Sequence, residues 1–174
     1  LAVNPRGNVP VLTEDGITVC ETLAVFAYLE AAHPAPPLLG ASPAETARIW
    51  QAICDCDGHL RDRVGNVSRP LFRGRATEAA GEITTAMPAI HDELDRLDKT
   101  LSDSPWLCGD TLSAADLIVY PVIMQLQRAA GREDAVALDL GVPPLGDHYP
   151  HLDTWAERVS KLPGADTAYP PHWK

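Results

Sequence analysis

With 174 residues, 45% of them apolar, the chain can bury one substantial core, or one small domain plus part of another, and is too apolar to stay disordered. Its 24 acidic residues against 14 basic ones leave a formal net charge of −10, which repels phosphate backbones and anionic lipid surfaces and so argues against nucleic acid as a partner. Charged residues interrupt every apolar run before the roughly 20 residues a bilayer span needs, so the chain reads as soluble, with no membrane partner.

The opening, Leu1-Ala2-Val3-Asn4-Pro5-Arg6-Gly7, lacks an initiator Met, a basic region and a long apolar segment. It reads as a chain entered part-way, and not as a signal peptide. Strand candidates follow at Val9–Thr13 and Ile17–Cys20, separated by Glu14-Asp15-Gly16, where Asp-Gly between β-branched runs signals a tight hairpin. Thr22 to Glu30 reads as a helix with Thr22 capping the first free amides and apolar residues over most of its surface, which predicts burial. Proline stops it near His33-Pro34, and Pro34-Ala35-Pro36-Pro37-Leu38-Leu39-Gly40 reads as a linker.

Beyond the linker only helices are expected. Ser42 as N-cap and Pro43 at the first helical position open one that runs from Ala44 to about Val64. Another covers roughly Thr77 to Leu101, where Ile83, Met87, Ile90, Leu94, Leu97 and Leu101 form one apolar stripe, and Pro88 marks either a kink or the true start. The charges between them, Asp92, Glu93, Asp95, Arg96, Asp98 and Lys99, read as a solvated face. Ser113 and Asp116 have the spacing of a capping box for a helix running to about Ala130, with Leu112 and Leu117 placed as a hydrophobic staple and Pro121 predicting a bend. A last helix spans roughly His151 to Leu162, and the proline-rich tail from Tyr169 to Trp173 reads as extended.

The run Asn4-Pro5-Arg6-Gly7-Asn8-Val9-Pro10-Val11-Leu12, the hairpin, Glu21-Thr22 opening a helix and the proline-rich linker resemble the second half of the thioredoxin-like domain of glutathione transferases. Further on, Trp106-Leu107-Cys108-Gly109-Asp110-Thr111-Leu112-Ser113-Ala114-Ala115-Asp116, followed by Pro150-His151-Leu152-Asp153-Thr154-Trp155, resembles the all-helical domain of the same family. The resemblance implies a partial thioredoxin-like α/β unit at 1–34, a linker at 35–41 and a helical-bundle domain at 42–174. It also implies glutathione as co-substrate, a small apolar electrophile as second substrate, and a homodimer.

By that resemblance Val9 offers its backbone to the tripeptide as one more strand, with Pro10 cis, and Asn8 adds a polar contact beside the proline loop. The γ-glutamyl carboxylate would meet the amides and hydroxyl at Thr22, its ammonium would meet Glu21, and Asp57 would reach the same ammonium across a dimer. Family members carry Ser where this chain has Thr22, which keeps the hydroxyl. The Tyr, Ser or Cys that stabilises the glutathione thiolate lies, in the family, upstream of everything here, so no catalytic residue is assigned and the fragment itself is expected to bind weakly and catalyse little. The strand that pairs with the Val9 segment is upstream too, leaving an expected open edge.

Other signals are weaker. Cys54, Cys56 and His59, with Asp55 and Asp57, suggest a metal only superficially, because residues two apart on a helix point in different directions. His148 and His151 read as a surface pair, and Tyr120 as core or as part of an electrophile pocket. The irregularly spaced Cys20, Cys54, Cys56 and Cys108 fit a reducing, cytoplasmic setting. No phosphate loop or nucleophile elbow is present. Two alternatives to the transferase remain: a non-catalytic assembly module of the same fold, and an isomerase similar to the zeta class, which acts on maleylacetoacetate. Pro121 and the linker favour that class, while Glu21 stands where it usually has an amide.

Overall fold

A computed structural model describes residues 2–168; the expected extended tail lies outside them. The chain begins with an antiparallel hairpin of β1 (Val11–Glu14) and β2 (Ile17–Cys20), in register from Val11↔Cys20 to Glu14↔Ile17. Asp15 and Gly16 both take positive φ, 46° and 80°, as a two-residue turn matching the strand twist requires. Pairing starts at Val11 and not at the expected Val9, since Pro10 has no amide to donate.

Helix α1 (Thr22–Ala32) corrects the burial expectation: none of its residues is buried. Leu23 and Phe26 lean on the helical core and β2 packs along it, but a two-stranded hairpin is too small to cover a helix that is apolar all round. The proline stretch after it is held in place. Both carboxylate oxygens of Glu30 accept the amides of Leu38 and Leu39, each at 3.0 Å, and the Leu38 carbonyl accepts the Ala114 amide at 2.8 Å.

Helix α2 (Pro43–Asp55) starts as the sequence predicts, with the Ser42 hydroxyl accepting the Glu45 amide. It does not continue uniformly. A π-helical turn, Cys56–Arg61, leads into α3 (Asp62–Phe72), so the rod runs past the predicted end at Val64. The buried residues give the physical reason: Cys56, Leu60 and Val64 succeed one another in two four-residue steps. On an ordinary helix those steps would swing the apolar stripe by about 80° away from the core, whereas a wider turn keeps it aligned.

Helix α4 (Ala80–Asp103) carries Pro88 inside it, so the helix does not start at that proline. Helix α5 (Ala114–Ala130) is the central one, packed by α2, α3 and, near the C-terminus, α8 (Pro150–Ser160). Trp155, Ile53, Leu71, Ile90, Leu94, Leu126 and Leu152 are fully enclosed between these helices, each large apolar side chain contributing about 1.5–3 kcal/mol by burial. The short helices α6 (Glu133–Val136), α7 (Leu145–His148) and α9 (Ala165–Ala168) were not expected; a single turn carries no periodicity.

The capping box is present: the Ser113 amide and hydroxyl both donate to Asp116, at 2.9 and 2.8 Å. The same carboxyl group also accepts the Leu107 amide and the indole N–H of Trp155, so this fully buried side chain joins the start of α5 to α8. The solvated-face reading of α4 fails at Asp98, whose carboxylate accepts the amides of His151 and Leu152 at 2.8 Å and so caps α8 from another helix. Nearby, the Tyr149 hydroxyl meets His91 Nδ1, and burial, then Asp95 and Asp98, push its phenol up to about 12.

Candidate functional site

The segment before β1 is shaped by Asn4, a buried polar residue. Its side-chain amide donates to the Asn8 carbonyl at 2.8 Å, its side-chain oxygen accepts the Arg6 amide at 3.0 Å, and its own carbonyl accepts the Gly7 amide at 2.9 Å. This closed loop delivers Asn8 and Val9 to the surface. Val9 is 89% exposed, and the Val9–Pro10 bond is cis.

The hairpin brings the other half of the site to the same end. Pairing closes at Val11↔Cys20, so Pro10 enters β1 where Glu21 leaves β2, and Arg6 Nη1 lies 3.7 Å from Glu21 Oε1. Glu21 itself holds φ 76°, a left-handed backbone uncommon for a residue with a side chain. The exposed ion pair with Arg6 is of the kind worth at most about 1 kcal/mol, so an incoming cation can compete for the carboxylate.

The capping role expected of Thr22 is corrected. Glu21 is the N-cap residue, without a side-chain cap bond, and Thr22 is the first helical residue. The Val25 amide bonds the Glu21 carbonyl, so helix geometry leaves the amides of Thr22, Leu23 and Ala24 without intrahelical acceptors. Three donors, the positive end of the helix dipole and a hydroxyl converge at this opening of an 11-residue helix. At the other edge of α1, Tyr28 hydrogen-bonds Glu14, which with neighbouring Asp15 raises its phenol pKa.

Asp57 sits apart from this face, on the π-helical turn, where it pairs with Arg61 at 2.6 Å. Cys54 is exposed and Cys56 buried, so the two thiols do not share a face; burial also pushes the Cys56 thiol up to about 11. Among the described residues no group of three or more His, Cys, Asp or Glu side chains is arranged to hold a metal. His148 and His151 are both exposed, and Tyr120 rests edge-on against Trp155 with ring centroids 6.0 Å apart. Sequence reasoning missed Asn4 and Arg6 as builders of the site. The Asn-Pro-x-Gly turn signal held part of that information, since Asn side chains fold back onto nearby backbone in such turns.

A two-stranded sheet with α1, followed by an all-helical part centred on a capped buried helix, is the glutathione S-transferase fold. The solved glutathione S-transferase of Rhodospirillum rubrum superposes with a TM-score of 0.74 at 26% identity, covering 99% of this chain and 79% of that one. Profiles of the glutathione S-transferase N-terminal and C-terminal domains match residues 1–37 and 61–163. Glutathione S-transferase stcT of Emericella nidulans is 31% identical over 173 residues, 98% of this chain and 74% of that protein. A probable maleylacetoacetate isomerase of Drosophila melanogaster is 31% identical over 132 residues, 72% of this chain and 50% of that protein. The chain belongs to the glutathione S-transferase family. It spans 50–57% of the length of the maleylacetoacetate isomerases it matches. Among the described residues no helix is long and apolar enough to cross a membrane.

Proposed function

We propose that this chain carries the glutathione seat of a glutathione transferase, whose activity is addition of the glutathione thiolate to a small apolar electrophile. The observation that supports the reading is the shared end of the hairpin: exposed Val9, before cis-Pro10, leads into β1 where β2 leaves for the open helix start at Glu21–Thr22, and Arg6 meets Glu21 there. An extended tripeptide laid beside Val9 would exchange backbone hydrogen bonds with it, as added strands do. Its γ-glutamyl carboxylate then meets the free amides and the Thr22 hydroxyl, and its ammonium meets Glu21 in place of Arg6. Asn8 borders the peptide. Asp57 is assigned to the ammonium across a homodimer, where it would have to leave Arg61. In this reading residues 1–34 form the glutathione side, 35–41 the linker and 42–174 the helical side. Four free thiols suit a reducing cytoplasm.

The nucleophile is the thiolate, which an unaided thiol yields only sparingly at neutral pH. No catalytic group is assigned among the described residues. The test is retention on glutathione-agarose of the protein beside Glu21→Ala and Thr22→Ala, with elution by free glutathione. Both variants should elute early; retention equal to the parent would remove the seat. A second reading, glutathione-dependent isomerisation, is favoured by relatives named maleylacetoacetate isomerase. It uses the same seat, and assay of maleylacetoacetate turnover against conjugation of a chloroaromatic electrophile separates the two.

A further inference from the structure

The chain is acidic, yet residues 61–75 hold Arg61, Arg63, Arg69, Arg73 and Arg75 against the single carboxylate Asp62. These arginines are not equally engaged. Arg61 is tied to Asp57, Arg63 to the His59 carbonyl and Arg75 to Glu78. Among the described residues the guanidinium groups of Arg69 and Arg73 have no hydrogen-bond or ion-pair partner. Arg69, Arg73 and Arg75 line one cleft of about 420 Å³ between the end of α3 and the start of α4, with Asn66 and Glu82 in the same lining.

The cleft also has a feature of construction. A Cβ on Gly65, which is buried in α3, would lie 3.0 Å from Cζ and Nη2 of Arg69, so the absent side chain is what lets that guanidinium lie against the helix wall. Attraction between a cation and the C-terminal end of α3 accounts for Arg69 in the last turn and Arg73 at the cap. It does not explain why Arg75, beyond the helix, lines the same cleft.

We propose that this cleft binds a small phosphate-bearing anion, distinct from glutathione and held away from the hairpin. Planar guanidinium groups grip phosphate oxygens through paired N–H donors, and two of the three here are uncommitted. Glu82 repels an anionic guest, so the arginines must outweigh it.

Titration calorimetry with pyrophosphate tests this at low ionic strength, against sodium chloride matched for ionic strength. Saturable heat is expected with the parent, and Arg69→Ala/Arg73→Ala should lower the affinity about tenfold or more, as loss of charge-assisted hydrogen bonds does. Glu82→Gln should raise it. Gly65→Ala should weaken binding while leaving the unfolding temperature unchanged or higher, because alanine favours helix; that result excludes misfolding as the cause. Glutathione retention should be unaffected in all three. Heat no greater than with chloride, or equal affinity in the double variant, would overturn the site. Citrate binding as tightly as pyrophosphate would overturn its assignment to phosphate.

Discussion

Two helix starts in this molecule solve the same problem in opposite ways. At the head of α5 the polar groups are answered from within: Ser113 and Leu107 donate to Asp116, and the Ala114 amide finds the Leu38 carbonyl. At the head of α1 the cap residue offers no side-chain bond, and the first amides are left open. The apolar faces differ in the same sense. Helix α5 buries residues along its whole length, and α1, with an even larger share of apolar side chains, buries none. The α5 start is closed within the protein, and the α1 start is left open to solvent or a ligand.

The strongest challenge to this contrast is Asp116→Ala. It leaves the Leu107 amide, the Ser113 groups and the Trp155 indole buried without an acceptor, and should cost about 3–5 kcal/mol, read from urea unfolding. A loss below about 1 kcal/mol would mean that water replaces the carboxylate and that the α5 end is no more closed than the α1 end. Next comes Asp98→Ala, which removes the acceptor for two amides of α8 and should cost about 1–2 kcal/mol in the same assay.

A smaller effect is expected at alkaline pH. The Tyr149 phenol is raised to about 12 in the folded chain, against about 10 when unfolded. The folded state therefore keeps the proton more tightly, and the stability this contributes is whole below about pH 10 and fades as pH climbs towards 12. In Tyr149→Phe that part of the alkaline decline should vanish from unfolding midpoints measured across this range. Smallest of all should be the stability change in Glu21→Ala and Thr22→Ala, within about 0.5 kcal/mol, even as glutathione retention drops. Destabilisation comparable to that of Asp116→Ala would show that the α1 start is structural after all.

What the sequence disclosed follows the same division between local and distant causes. The Asp15-Gly16 turn, the Ser42-Pro43 helix start and the Ser113–Asp116 box are each settled by neighbours within four residues, and each stands as expected. The glutathione transferase resemblance was legible because the family's motifs are of this local kind. Asp98 reaching α8, Glu30 reaching the linker and Asn4 bracing its loop depend on what the fold brings near, which no helical period records. The π-helical turn escaped because its cause is a phase mismatch spread over Cys56, Leu60 and Val64. For α1 the composition misled: an apolar surface states what a helix can bury, while the neighbours available decide what it does bury.

The Glu30 clamp gives the molecule an internal reporter. Helix α1 is a rod about 16 Å long, with its open end at Thr22 and its far end locked through Glu30 to Leu38 and Leu39 and onward to Ala114. Those three amides can open to solvent only when the rod's anchorage loosens. Their hydrogen–deuterium exchange rates thus register, from the edge of the helical core, how firmly the hairpin side is seated.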